Sequence, residues 1–161
     1  MPFGIASHVV AQVPELWRNR VAHFFAVFTQ ENAQWGALAN QQRERGQVDD
    51  VIGMREKYLH FTAAGFLIMA NVGHSIFKAS EFAPDEEQMT PEQITLVTRL
   101  AREVDWLRSN PMWRGSVVSE DGKVNPQRGP VAIAVAKVKA FLGLALTSHE
   151  QGIISRAVRN D

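Results

Sequence analysis

The chain has 161 residues, 45% of them apolar and 21% charged, with 17 basic and 17 acidic side chains and a formal net charge of zero. That length builds one ordinary domain with a real core, and the composition is that of a folded globular protein rather than a disordered one. Zero net charge excludes a nucleic-acid binder that relies on whole-surface electrostatics, and the absence of cysteine excludes disulfides, thiolate chemistry and cysteine-based zinc sites.

The first residues, Met1 to His8, carry no basic stretch ahead of their apolar ones and do not read as a secretory leader. Residues 1–13 are expected to form a flexible or arm-like N-terminus to a single helical domain spanning 1–161. A long helix is then predicted from Pro14 to Gln42, where Leu16, Val21, Phe24, Phe25, Phe28 and, after one skip, Trp35 and Leu38 recur at three- and four-residue steps. Gly46 is its expected stop.

A second long helix is predicted from Asp49 to Ser80, with Asp49 or Asp50 as cap. Met54, Tyr58, Phe61, Leu67, Ile68, Val72, Ile76 and Phe77 give it apolar surface on more than one side, as in the buried centre of a bundle. Gly65 and Gly73 would let a neighbouring helix approach closely. The richest apolar run, Phe61 to Val72, is broken by Thr62, Gly65 and Asn71 and falls short of the ~20 residues needed to span a bilayer. No membrane association is expected, and the cytoplasm is the expected location.

Glu81 to Gln88 reads as an acidic linker containing Pro84, either simply solvated, or a partner-docking loop or intramolecular mate for the basic C-terminal face. Thr90-Pro91-Glu92-Gln93 is a capping box that opens a third helix, carrying Ile94, Val97, Leu100, Ala101, Val104 and Leu107 to an end near Ser109-Asn110-Pro111. Ser116–Val118 and Lys123-Val124 flank the turn pair Asp121-Gly122, which predicts a short β-hairpin near residues 116–124. A fourth helix should run from Arg128 to Leu142 with Gly143 as its stop. Thr147-Ser148-His149-Glu150 is a second capping box, starting a short last helix to Val158. The expected fold is mainly α: a bundle of four to five helices with one small hairpin.

Familiar chemistry finds no foothold. Neither a Walker A loop, nor Gly-x-Gly-x-x-Gly, nor Gly-x-Ser-x-Gly, nor His-Glu-x-x-His occurs. His23, His60 and His74 lack a ligand partner at metal spacing and read as core or boundary side chains. No catalytic residue, cofactor or metal is expected.

What stands out is Glu103 to Gly115, which packs Trp106 and Trp113 with Arg108, Arg114, Asp105, Asn110 and Pro111. From Arg108 to Lys139 six cations (Arg108, Arg114, Lys123, Arg128, Lys137, Lys139) face only Glu120 and Asp121. Arginine and lysine at such density suit phosphates, an exposed tryptophan stacks on bases, and asparagine offers paired donor and acceptor. Arg108, Asn110, Trp113, Arg114, Lys123 and Arg128 are therefore the candidate nucleic-acid-binding residues. The plainer reading makes Trp106 core, pairs Arg108 with Glu103 or Asp105, and has the cluster staple the hairpin to the bundle.

Asp105-Trp106-Leu107-Arg108-Ser109-Asn110, then Pro111-Met112-Trp113 and Gly115, Gly122-Lys123-Val124, the run Val138 to Thr147, and Glu150-Gln151 resemble the tail of the DndB family. These are the DGQHR-domain proteins associated with DNA phosphorothioate (sulfur) modification. The helix from Arg55 to Ile76 resembles the family helix just upstream, so the resemblance covers roughly Trp35 to Gln151. The DGQHR string itself is missing, with Asn125-Pro126-Gln127-Arg128-Gly129 its nearest approach, and Leu107 stands where the pattern has a small polar residue. The resemblance implies the C-terminal helical domain of a cytoplasmic regulator that binds duplex DNA as a transcriptional repressor. The competing expectation is a non-catalytic module that forms a homo-oligomer or docks onto an N-terminal DGQHR-type domain.

Overall fold

The computed structural model describes residues 3–46, 51–82 and 85–159, with side chains described from Pro14 onward. Among these residues the chain is mainly helical, with seven α-helices and no sheet. They are α1 (Phe3–Glu31), α2 (Ala33–Arg45), α3 (Val51–Lys57), α4 (Ala63–Ala79), α5 (Pro91–Arg102), α6 (Arg128–Leu142) and α7 (Ser148–Arg159), with 3-10 turns at Leu59–Phe61 and Pro111–Trp113. The expected count of four to five helices is too low because both long predicted helices are broken.

The first break is at Asn32, whose extended backbone ends α1 and whose side chain caps α2 by accepting the Trp35 N–H at 3.1 Å. The skip in the apolar pattern between Phe28 and Trp35 falls on this corner. Residues 3–13, read from the sequence as an arm, lie within the span of α1. The second break is at Tyr58–Thr62. Tyr58 turns extended, and Thr62 starts α4 by accepting the Gly65 N–H at 3.2 Å. Gly65 permits the tight return: a Cβ there would stand 2.0 Å from the Leu59 carbonyl oxygen, so its task is this corner rather than a neighbouring helix. Gly73 behaves as expected, a Cβ there meeting the Phe24 ring of α1 at 3.0 Å. The expected Asp49 or Asp50 cap and Pro84 lie outside the described residues.

The Thr90–Gln93 capping box opens α5 as expected, but the helix stops at Arg102 rather than near Ser109. Trp106 is the reason. Its indole N–H donates to the Leu100 carbonyl at 3.1 Å, an acceptor that a continuing helix would give to the Val104 N–H. Gly143, in the left-handed region at φ 72°, ends α6, and the Thr147–Glu150 box opens α7.

The predicted hairpin is not formed. Asp121-Gly122 does turn the chain, with Gly122 at φ 80°, yet only the isolated pair Val118–Val124 bridges across it. Ser116 to Val118 curls instead of extending, because the Trp113 carbonyl accepts both the Ser116 N–H at 3.3 Å and the Val118 N–H at 3.1 Å. Val117 and Val118 are both buried, which an alternating strand forbids.

Helix α4 forms the buried centre: Ala64, Ile68, Met69, Val72 and Ile76 have essentially no exposure. α5 packs against α1 and α4, and α6 against α4 and α7. The linker before α5 is tied to α1 rather than to the basic C-terminal part. Arg20 donates to the Glu86 carbonyl at 2.8 Å, Asn19 to the Glu87 carboxylate at 3.1 Å, and the Met89 N–H to His23 at 2.9 Å.

A buried polar tie joins these helices. Asn32 donates to the Ala101 carbonyl of α5 at 3.1 Å, which leaves its side-chain oxygen as the acceptor 3.2 Å from His60 Nε2. His60 therefore carries its proton on Nε2, while Nδ1 is buried without a partner. Rings of Phe28, Tyr58, Phe61 and Trp106 surround it. Burial lowers its pKa from 6.5 to about 4.

This neutral histidine makes stability pH-dependent. Above pH 6.5 the imidazole is neutral folded and unfolded, and its contribution is complete; between 6.5 and about 4 only the unfolded chain takes up the proton. Stability should fall across that window by about 3 kcal/mol on this account. Urea unfolding at stepped pH checks it: His60→Phe should flatten the slope, and an equal slope in both chains would remove His60 as its cause.

Candidate nucleic-acid interface

The cluster takes shape where the chain leaves α5. Val104 stays in the core, and Trp106 and Trp113 stack with centroids 5.4 Å apart and planes at 22°. The Asp105 carbonyl accepts the Trp113 indole N–H at 3.0 Å and the Asn110 amide at 3.1 Å. Asn110 in turn caps the 3-10 turn, its oxygen accepting the Met112 N–H at 2.9 Å. Lys137 of α6 donates to the Met112 and Arg114 carbonyls at 3.1 and 3.3 Å, fastening this turn to the bundle.

Three of the six candidates are spent inside this construction. Trp113 is 0% exposed, which corrects its expected role: it cannot stack on a base. Both ends of the Asn110 amide are occupied. Arg108 pairs with neither Glu103 nor Asp105. Its guanidinium donates to the carbonyls of Arg55 and Glu56 at the end of α3 (3.2 and 3.0 Å) and of Gly122 in the turn (3.0 Å). There it satisfies carbonyls that a helix C-terminus leaves open, a place where a cation is favoured.

Arg114, Lys123 and Arg128 remain exposed. Lys123 pairs with Asp121 at 2.8 Å, but with its side chain 84% exposed the pair contributes little. Hydrogen bonds from Lys123 and Ser119 hold the Asp121 carboxyl below its usual range. The structure does not gather the six onto one surface. Arg108 and Arg114 line a groove of about 540 Å³ that also holds Glu56, Lys57 and Asp121. Arg128, at the first turn of α6, lines a separate cleft of about 440 Å³ with Asn71, His149 and Glu150.

Two cations from the wider basic stretch take unexpected places. Lys139 is buried and pairs with Glu150 at 2.7 Å; that lysine and the Thr147 N–H outweigh the cost of burial and keep the Glu150 carboxyl below its usual range. Lys137 joins Arg114 and Arg156 around a cleft of about 310 Å³ between α6, α7 and the Arg114–Gly115 corner. Arg156 had no signal in the sequence, because nothing there brings the last helix beside residue 114.

Among the described residues no group of three or more His, Asp or Glu side chains is placed to hold a metal, and no helix is long and apolar enough to cross a membrane. A family model named DndB and described as DNA-sulfur modification-associated matches residues 10–145, from within α1 to just past α6. No curated protein and no solved structure matches the chain.

The geometry makes Trp113 and Arg108 stability residues. Trp113→Ala should cost about 3–5 kcal/mol, and Arg108→Ala about 0.5–1.5 kcal/mol, because the carbonyls it leaves are exposed and regain water. Urea unfolding reads both. An Arg108→Ala chain of unchanged stability would return that side chain to the set of ligand contacts.

Proposed function

The chain belongs to the DndB family of DNA-sulfur modification-associated proteins, and on that footing we propose that it serves as the helical, non-catalytic part of a regulator that contacts duplex DNA as a transcriptional repressor. The observation that carries the DNA contact is the exposure of Arg114, Lys123 and Arg128. Two of them, Arg114 and Arg128, form no ion pair among the described residues. Such side chains meet phosphates and position a duplex without reading its bases. Trp113 and Asn110 drop out of the contact set, so the proposal is narrower than the sequence cluster from which it started.

A second reading rests on a different observation. Trp17, 44% exposed, lines an apolar groove of about 270 Å³ between α1 and α4 with Val21, Phe25 and Phe77 among others, and Phe66, 52% exposed, stacks on Phe25 at 5.3 Å. Exposed aromatics at such density suit a docking module that pairs with a second copy or with a DGQHR-type domain. Sedimentation across a concentration series tests the self-pairing form: Phe66→Ser should weaken any association that the apolar groove drives.

For the DNA reading, anisotropy titrations with labelled duplex at about 50 and 200 mM salt should show affinity falling with salt, with a logarithmic slope of about −3 for three phosphate contacts. Replacing Arg114, Lys123 and Arg128 together by alanine should abolish that slope while leaving the unfolding midpoint unchanged. No binding at the lower salt, or binding indifferent to salt, sinks the reading.

A further inference from the structure

Three cations converge on the cleft between α6, α7 and the corner at Arg114–Gly115, and among the described residues no carboxylate lines it. Arg114 and Arg156 are exposed, and neither guanidinium has a hydrogen bond or ion pair among those residues. Lys137 is half-buried and held by the Met112 and Arg114 carbonyls, which use two of its three N–H donors and leave the third free. Its charge is thus fixed in place and not neutralised. Ile133, Ile153 and Ala157 supply an apolar wall, and the space of about 310 Å³ admits a small anion with part of the group that carries it.

Several cations elsewhere in the fold are matched, although Arg128 is not. Lys139 has Glu150, Arg99 has Glu103, Arg102 has Glu31, and Arg108 is surrounded by carbonyls. Three positive side chains around one hollow make its local potential positive, which favours an anion there. The guanidinium fork favours a tetrahedral oxyanion, which accepts two parallel hydrogen bonds from each arginine.

We propose that this cleft binds the phosphate group of a phosphate ester, with Arg114 and Arg156 gripping its oxygens, Lys137 supplying a fixed charge beneath, and Ile133 and Ile153 contacting the carbon-bearing side. The family match covers Arg114 and Lys137 but ends at 145, so Arg156, brought by α7, completes the site from beyond it. It rests on the DNA-contact reading only where the ester is a DNA backbone diester; a free phosphate ester is the other source of the same chemistry.

The test uses the full chain with its arginine side-chain Nε and backbone amide signals resolved by NMR, titrated with inorganic phosphate against sodium chloride of equal ionic strength, and separately with a short DNA duplex. Phosphate should shift the signals of Arg114, Arg156 and Gly115 saturably where chloride does not, and Arg156→Ala should weaken that binding about tenfold. Because the Arg156 side chain is exposed and makes no hydrogen bond or ion pair among the described residues, the variant should keep its unfolding midpoint. Duplex moving the same signals, with affinity reduced in Arg156→Ala, identifies the backbone diester as source. Phosphate saturating the site while duplex leaves it unmoved identifies a free ester and removes Arg114 from the DNA contacts. Shifts that chloride reproduces, or phosphate binding unchanged in Arg156→Ala, overturn the proposal. If duplex still binds in that case through Lys123 and Arg128, the DNA reading survives without the cleft.

Discussion

Two stretches of this chain leave helical conformation in the interior, and each supplies the backbone partners that the other lacks. The Leu59 N–H donates to the Trp106 carbonyl at 2.8 Å, and the Arg108 N–H to the Lys57 carbonyl at 3.0 Å. Leu59 is fully buried, so its amide has no water to turn to, and an orphaned buried amide costs about 1–3 kcal/mol. The break between α3 and α4 is therefore tolerable only because the segment after α5 crosses it. From that crossing the rest follows in order. Trp106 is placed to stack on Trp113, the 3-10 turn is set, Lys137 reaches its carbonyls, and the corner at Arg114 is fixed beside α6.

The Asn32–His60 tie sits beside that crossing, with the His60 ring 5.3 Å from Trp106. Apolar helix faces alone permit sliding between neighbouring registers. A buried asparagine that must find the Trp35 N–H, the Ala101 carbonyl and a histidine at once is satisfied in one arrangement. The cost appears at His60, whose Nδ1 has no partner among the described residues and whose pKa burial holds well below that of an exposed imidazole.

Local capping chemistry was legible in the sequence, and tertiary pairing was not. Thr90–Gln93, Gly143 and Thr147–Glu150 act through neighbours three or four residues away, and each sits where the pattern placed it. The breaks at Asn32 and Tyr58 depend on partners far along the chain, Ala101 and Leu107, and a continuous apolar periodicity ran straight over them. Two local hints lay unused: the skip before Trp35, and Thr62 standing at a cap position inside an apolar run. The hairpin failed for a related reason. Asp121-Gly122 makes its turn, but Trp113 draws Ser116 and Val118 onto its own carbonyl, and the pairing across the turn stays at the single Val118–Val124 bridge. In the candidate site, residue type alone could not separate Arg108 from Arg114, since only the fold decides which one meets carbonyls.

That division reconciles the neutral chain with a charged site. At physiological ionic strength screening acts within about 8 Å, so a phosphate group responds to the side chains beside it and hardly at all to the sum over the molecule. Seventeen cations matched by seventeen anions cancel any long-range pull. They do not cancel a hollow in which three cations stand without a carboxylate. What zero net charge removes is long-range capture of nucleic acid by the whole surface. What it leaves open is short-range contact, in which an arginine is available to a ligand only when the fold has left its guanidinium unspent. Arg108 is consumed and Arg114 is not, though only five residues lie between them and the sequence gives the two the same character.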